Sequence, residues 1–182
     1  MDRAAIEEIY AYTGFAWERL GRTIEKLGSE QFVDPVPGSG WPSIRRAILH
    51  ILQAYDGWIN EDKWGLGVGE SMFPDVESWD ELYARVPTWK EAQAYRDATR
   101  RSFRKVFEVS DEELFKRRTW ELEFGPEELS PADILTNLLV HERGHHGDLS
   151  TLFHQLGIKS YFIDYRFFVS KPNEFLEDRD DE

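Results

Sequence analysis

Four long stretches of this sequence repeat apolar residues every three or four positions, and this periodicity limits the chain to a mostly helical fold. The stretches cover about 4–27, 44 to the glycines at 65–69, 88–109 and 131–156. Each presents one apolar stripe, which must be buried against another helix. We therefore predict an all-α protein: an up-down four-helix bundle with a long connection after the second helix and an aromatic C-terminal tail.

Helix-start patterns precede three of these stretches and one shorter segment. Ser43 is a candidate N-cap for the second stretch, and Thr88 and Ser130 begin capping patterns for the third and fourth. Ser78 begins a similar pattern inside the long connection, which predicts a short helix there. Residues 29–41 are rich in proline and glycine, and we expect them to form a loop.

Strand patterns are sparse. Trp120, Leu122 and Phe124 alternate with polar residues, which indicates one strand, and Gly125 followed by Pro126 ends it. No segment repeats at a fixed period, so we expect one domain over residues 1–170. The acidic residues 171–182 are expected to form a disordered tail.

The composition excludes several classes of function. The chain has 182 residues, no cysteine and a formal net charge of −13. Without cysteine it has no disulfide framework, no cysteine-ligated zinc and no cysteine nucleophile. The negative charge disfavours binding to nucleic acid. The sequence shows neither a signal peptide nor an apolar run of the ~20 residues that a membrane helix needs, so a cytoplasmic protein is expected.

The histidines indicate where chemistry takes place. His141 and His145 are one helical turn apart, and a helical projection places both in the centre of the apolar stripe of the fourth helix. Burying unpaired imidazoles is costly, and one divalent metal satisfies two of them at once. His50 on the second helix is the natural third ligand. Three histidines with a vacant position are typical of a catalytic metal, although three independently paired histidines remain an alternative.

The other histidines of the fourth helix are predicted to be ordinary polar residues. His146 points away from the predicted ligand pair, and His154 lies near the helix end.

A second motif overlaps the predicted ligand pair. Residues 141–145 match H-E-x-x-H, in which Glu142 would be the general base of a zinc hydrolase or peptidase. The projection places Glu142 at the rim of the stripe, where it is expected to be exposed. Thr151 stands where a metzincin has its third histidine, and the predicted fold offers little sheet edge for a peptide. The peptidase is therefore kept as an alternative.

The combined pattern resembles the DinB-like superfamily. The resemblance lies in Ser-Ile-Arg-Arg-Ala-Ile-Leu-His-Ile at 43–51 and His-Glu-Arg-Gly-His-His-Gly-Asp at 141–148. The family has one histidine on the second helix, a pair on the last helix and a glycine at the position of Gly147. His146 and Asp148 depart from the arginine and glutamine that are common there.

This resemblance implies a metal site and a small-molecule substrate. Zinc or nickel, with iron and manganese as alternatives, would be held by His50, His141 and His145. Characterised relatives include thiol-dependent transferases, so thiol transfer or a related hydrolysis is implied, with a low-molecular-weight thiol as cosubstrate. Asp148 is a candidate to orient a ligand or accept a proton, and Glu61 is a weaker one.

The C-terminal aromatic residues suggest a further contact. The eight residues from Tyr161 to Phe168 include five aromatic side chains, which should be buried on the bundle or against a partner. Because the family often dimerises, we expect a homodimer. A non-catalytic metal-binding or interaction module that works through this tail is the remaining alternative.

Overall fold

A computed structural model describes residues 1–61, 66–160 and 164–170. These residues form eight helices and two strands, namely α1 (Arg3–Glu25), α2 (Ser29–Val33), α3 (Ile44–Ile59), α4 (Trp79–Arg85), α5 (Trp89–Val106), α6 (Asp111–Phe115), β1 (Arg118–Leu122), β2 (Gly125–Leu129), α7 (Pro131–Gln155) and α8 (Tyr165–Ser170). The four long helices α1, α3, α5 and α7 correspond to the four periodic stretches. The prediction of a mostly helical, all-α protein is confirmed.

The predicted helix starts are found where the capping patterns lie. Ser43 Oγ accepts a hydrogen bond from the amide of the third residue of α3 at 3.1 Å. At the start of α7, Asp133 Oδ2 accepts a hydrogen bond from the Ser130 amide at 2.9 Å, and Ser130 Oγ accepts one from the Asp133 amide at 3.2 Å. Ser78 and Thr88 cap α4 and α5. Each cap satisfies an amide that has no partner within its own helix.

The apolar stripes of the long helices meet in one core. α1 packs against α7, and α3 packs against both α5 and α7. Tyr10 of α1 stacks on Phe103 of α5 with ring centroids 4.7 Å apart. Ile48 and Leu135 are completely buried. Each such side chain contributes roughly 1.5–3 kcal/mol when it leaves water, which is why the stripes determine the packing.

The relative direction of α3 and α5 corrects the predicted up-down order. The Tyr83 ring of α4 lies 4.2 Å from the guanidinium of Arg45, at the start of α3. α5 begins four residues after α4 ends, so it starts at the same end as α3. Tyr55 and Phe103, in the second half of each helix, are also in contact. The two helices therefore run the same way, because the long connection returns the chain before α5 starts.

Four short elements, α2, α6, β2 and α8, were not predicted. Residues 29–41, expected to be a loop, begin with the five-residue helix α2, which buries Phe32 against the core. The predicted strand exists as β1, but Gly125 begins a second strand, β2, which pairs with β1 in antiparallel register. β2 has the sequence Gly-Pro-Glu-Glu-Leu, which carries little strand propensity of its own, so its pairing with β1 decides its conformation.

Part of the aromatic tail packs on the bundle, which is one of the two locations expected for it. Tyr165 and Phe168 of α8 contact the Tyr12 ring of α1, and Phe168 also contacts Phe15. Residues 161–163 and the acidic residues 171–182 lie outside the described residues, so the expected disorder of the acidic tail stays a prediction. No helix of the described ranges is both long and apolar enough to cross a lipid bilayer.

Candidate metal centre

Three histidine side chains from two helices meet at one point of the fold. His141 Nε2 lies 3.1 Å from His50 Nε2 and 3.0 Å from His145 Nε2. The three residues each offer one ring nitrogen, and these nitrogens all lie within 4.8 Å of one another. The predicted convergence of the three histidines is confirmed, whereas their role as metal ligands stays a prediction.

Antiparallel packing of α3 and α7 produces this meeting point. Trp41, just before α3, contacts Asp148 in the last third of α7. Tyr55, near the end of α3, contacts Glu142, which lies closer to the start of α7. His50 lies between these two contacts and therefore faces α7 at the level of its histidine pair.

The histidine pair lies at the edge of the buried face of α7, not at its centre. His141 and His145 are only half-buried. The centre that the projection gave them is occupied by Glu142 and His146, which are 3% and 0% exposed. This corrects the predicted helix orientation. A half-buried position leaves the imidazoles within reach of a ligand from solvent.

Asp148 fixes the orientation of one of the three imidazoles. Its Oδ2 lies 2.8 Å from His145 Nδ1 and accepts a hydrogen bond from Trp41 Nε1 at 3.0 Å. A carboxylate only accepts, so the proton of neutral His145 is on Nδ1, and its Nε2 lone pair faces the other histidines. Partial burial opposes ionisation of Asp148, but the bonds from His145 and Trp41 hold its pKa below the usual value.

The local electrostatics keep two of the imidazoles neutral. Burial, with repulsion from His145 and His50, lowers the pKa of His141 to about 4. Burial, together with His145 and Arg46, also lowers the pKa of His50. Neutral imidazole is the form that binds a metal ion.

The donor set fits a divalent ion such as zinc. Two nitrogens bound tetrahedrally at 2.0–2.1 Å are about 3.3 Å apart, close to the two separations observed. His141 Nδ1 is buried without a hydrogen-bond partner among the described residues, and Nε2 is the nitrogen of this ring that faces His50 and His145. The described residues supply no carboxylate or fourth histidine to this group. Three protein ligands are the number found at catalytic zinc sites.

Glu142 is buried below the histidines and not exposed at the rim, which corrects the sequence expectation. Its Oε2 accepts a hydrogen bond from the Tyr55 hydroxyl, and its Oε1 lies 3.3 Å from His146 Nε2. Burial opposes its ionisation, but His146, Arg100 and Tyr55 together lower its pKa to about 2. One oxygen of the carboxylate is therefore hydrogen-bonded to Tyr55, and the other lies close to His146, whose Nε2 has no hydrogen-bond partner among the described residues.

His146 is part of the same buried network, which corrects its assignment as an ordinary polar residue. Arg143 Nη1 lies 3.1 Å from His146 Nδ1. Because a guanidinium only donates, Nδ1 accepts, and the proton of neutral His146 is on Nε2, on the side of Glu142. Burial lowers the pKa of His146, which favours this neutral form.

The remaining sequence candidates lie away from the histidine cluster. His154 is exposed near the end of α7, as expected. Glu61 is exposed just beyond α3 and is not part of the three-histidine group.

Sequence reasoning missed two residues that shape the centre. The Trp41 ring lies 5.2 Å from the His50 ring and 5.1 Å from the His145 ring, so it forms one wall. Tyr55 holds Glu142 in the core. In the sequence, Tyr55 follows His50 by five residues and looks like an ordinary member of the apolar stripe of its helix. Trp41 lies in an irregular segment, where no periodicity predicts what its side chain contacts.

Comparison with known proteins adds one match. A sequence model of the DinB family matches residues 1–177. A search of curated proteins gives no match.

Proposed function

The chain belongs to the DinB family, and we propose that it is a divalent-metal-dependent enzyme that acts on a small molecule. Transfer of a low-molecular-weight thiol is the reaction we propose first, with a hydrolysis at the same site as the related reaction. The observation that carries the proposal is the convergence of His50, His141 and His145, with Nε2 separations of 3.0 and 3.1 Å.

The three imidazoles would hold the ion, with zinc or nickel as the first candidates and iron or manganese as further ones. A metal in such a site supplies a positive charge that lowers the pKa of a bound thiol or water. Because the chain has no cysteine, the thiol must come from a cosubstrate. Asp148 is the proposed positioning residue, since it keeps the proton of His145 on Nδ1 and leaves Nε2 to face the ion.

Two alternatives remain. In an H-E-x-x-H hydrolase, Glu142 would be the base that takes a proton from water. Its burial in the core and its hydrogen bond from Tyr55 argue against this role, because a base must reach the water that it deprotonates. A non-catalytic metal-binding or interaction module is the other alternative, and it predicts no turnover, with or without bound metal.

We also propose that the chain forms a homodimer within a DinB-like four-helix-bundle architecture. Tyr165 and Val169 of α8 remain 43% and 58% exposed, and burying them against a second copy would remove apolar surface from water. Sedimentation velocity over a wide range of concentration tests this. A dimer is expected, and a monomer at every concentration would overturn it.

Metal analysis and activity together test the proposed function. Protein purified without an affinity tag or added metal should contain about one divalent ion per chain. The zinc-loaded and nickel-loaded proteins are then assayed with a panel of low-molecular-weight thiols and an electrophilic aryl halide, and with chromogenic esters. Metal-dependent turnover of either class is expected. A chain that binds no divalent metal, or binds it without turnover on any panel, would contradict the proposed enzyme.

A further inference from the structure

A cavity between α3, α7 and the β1–β2 hairpin lies beside the three histidines. It has a larger part of about 450 Å³ and a smaller part of about 300 Å³, and both are lined by Trp58, Leu122 and Glu127. Pockets for small molecules typically have volumes of roughly 300–1,000 Å³. None of the residues that line this cavity belongs to the three-histidine group.

Helix geometry places the cavity about one turn from the candidate metal centre. Ala54, on the cavity wall, follows His50 by four residues, and Asn137, also on the wall, precedes His141 by four. Residues four apart share a helix face and lie about 5–6 Å apart. Since α3 and α7 are antiparallel here, both helices lead from the histidines in the same direction, towards the cavity.

The walls of the cavity suit an apolar body. Trp58, Leu122 and Phe124 supply two aromatic rings and one aliphatic side chain. Phe124, at the hairpin turn, is 91% exposed, so its ring is available to a ligand. Gly57 leaves open space at the helix surface, because a Cβ there would meet only a Glu61 oxygen at 4.0 Å.

The charged side chains that line the cavity are all acidic. The described lining residues include Glu123, Glu127 and Asp133 and no lysine, arginine or histidine. Asp133 accepts a hydrogen bond from the Ser130 amide and lies 3.6 Å from Arg117, so its charge is partly compensated. Glu123 and Glu127 are exposed, and neither forms a side-chain hydrogen bond or ion pair with a described residue. This arrangement complements a cation.

We propose that the cavity binds a small molecule with a protonated amine on an apolar, preferably aromatic, body, and that this is the substrate class of the histidine site. The amine is attracted by Glu127 and Glu123 and by the faces of the Trp58 and Phe124 rings. The assignment to a substrate rests on the proposed function, because the adjacent histidines would hold the metal that acts on the other end of the molecule.

Three probes of similar size test the chemistry of the cavity. Binding of 2-phenylethylamine, 2-phenylethanol and 3-phenylpropionate is measured at neutral pH by calorimetry and ligand-detected NMR. The amine should bind roughly tenfold or more tightly than the carboxylate, with the alcohol between them. Equal binding of the amine and the carboxylate, or tighter binding of the carboxylate, would overturn the proposal.

Matched variants locate the binding site. Gly57→Leu fills the cavity and should weaken the binding of both the amine and the alcohol roughly tenfold or more. Gly144→Leu makes the same change on an exposed face of α7, with nothing within 4 Å of the added Cβ, and should change neither. Glu127→Gln should weaken the amine alone, whereas Glu121→Gln, outside the cavity, should not. Unchanged amine binding in both Gly57→Leu and Glu127→Gln would refute the site, and Glu127→Gln keeps the test decisive if Gly57→Leu does not fold.

The two proposals can fail separately. Probe binding is measured on chelator-treated and on zinc-saturated protein. Amine binding that depends on Gly57 in a chain without metal affinity supports the cavity and overturns the proposed function. Zinc binding at the histidines without amine binding overturns the cavity alone. With cobalt(II) in place of zinc, the protons of the bound amine should relax faster, and unchanged relaxation would refute the placement beside the metal centre.

Discussion

Asp148 Oδ2 lies 2.8 Å from His145 Nδ1, and the same oxygen accepts the indole N–H of Trp41. One carboxylate thus connects the segment before α3 to the last third of α7. It also determines which nitrogen of the His145 ring carries the proton. Because a ligand's outer partner keeps the ring in place, the affinity of this centre for metal should depend on a residue that is not itself a ligand.

Replacing Asp148 should therefore weaken metal binding. We expect Asp148→Ala to lower zinc affinity by roughly 10–100-fold, the usual cost of losing an outer partner of a histidine ligand. Asp148→Asn should lose less zinc affinity, because its carbonyl oxygen still accepts a hydrogen bond from His145 Nδ1. Competition with a chromophoric zinc chelator measures both, with Asp97→Ala on exposed α5 surface as the control. Wild-type affinity in Asp148→Ala would contradict the positioning role.

Comparing His50→Ala with Glu142→Gln separates the two enzyme hypotheses. His50→Ala should lower metal affinity by at least roughly 10-fold, because it removes a direct ligand. Glu142→Gln should retain metal but lower the free energy of unfolding by about 1–3 kcal/mol, because Glu142 is buried with Tyr55 and His146.

Metal content, urea unfolding and activity are measured for both variants in parallel. In an H-E-x-x-H hydrolase the pattern is reversed: His50→Ala keeps its metal, and Glu142→Gln keeps its fold but loses hydrolysis.

The start of α7 should make stability depend on pH through Asp133. Hydrogen bonds from the Ser130 amide and hydroxyl lower the pKa of Asp133 below its usual 3.8. The folded state therefore holds the ionised form more strongly than the unfolded chain does. Its contribution is fully present above pH ~4 and is lost as pH falls through the lower folded value.

Replacing Asp133 tests this dependence. Asp133→Ala should cost about 1 kcal/mol at pH 6, and this difference from the wild type should shrink at pH 3. Urea unfolding at the two pH values measures it. If the variant and the wild type differ in unfolding free energy by the same amount at pH 6 and pH 3, the ionised carboxylate is not involved.

Gly69 is expected to be intolerant of a side chain. A Cβ at this position would lie 2.2 Å from both Asn60 Oδ1 and Ser102 Oγ and 2.6 Å from Ser102 Cβ, so rotating the two side chains is not enough and the segment around Gly69 would have to shift away from α5. We expect Gly69→Ala to lower the free energy of unfolding by about 1–3 kcal/mol. Gly40→Ala, where nothing lies within 4 Å of the added Cβ, is the matched control and should be close to neutral. Equal stability of the two variants would contradict the close packing at Gly69.

Interactions between residues close in sequence could be predicted well. The four long helices, the N-caps at Ser43 and Ser130, and the pairing of His141 with His145 all depend on separations of four residues or fewer. The convergence of His50 with that pair could be expected because periodicity places each histidine on the side of its helix that packs against another helix, although it put His141 and His145 at the centre of the buried face and not at its edge.

The tertiary structure alone decided which groups fill the centre of the buried face of α7. A projection counts apolar side chains and therefore placed Glu142 at the rim, yet Tyr55, Arg100 and His146 compensate its charge so that it can be buried. His146 lies one turn from Glu142 on α7, but Tyr55 and Arg100 come from α3 and α5, and no local pattern links these two to Glu142.

The same reason applies to the direction of α5 relative to α3 and to the contact of Trp41 with Asp148. Helix formation and capping are local and can be read from the sequence. The free energy that determines these two features comes from groups far apart in the chain, and it exists only once the helices have packed.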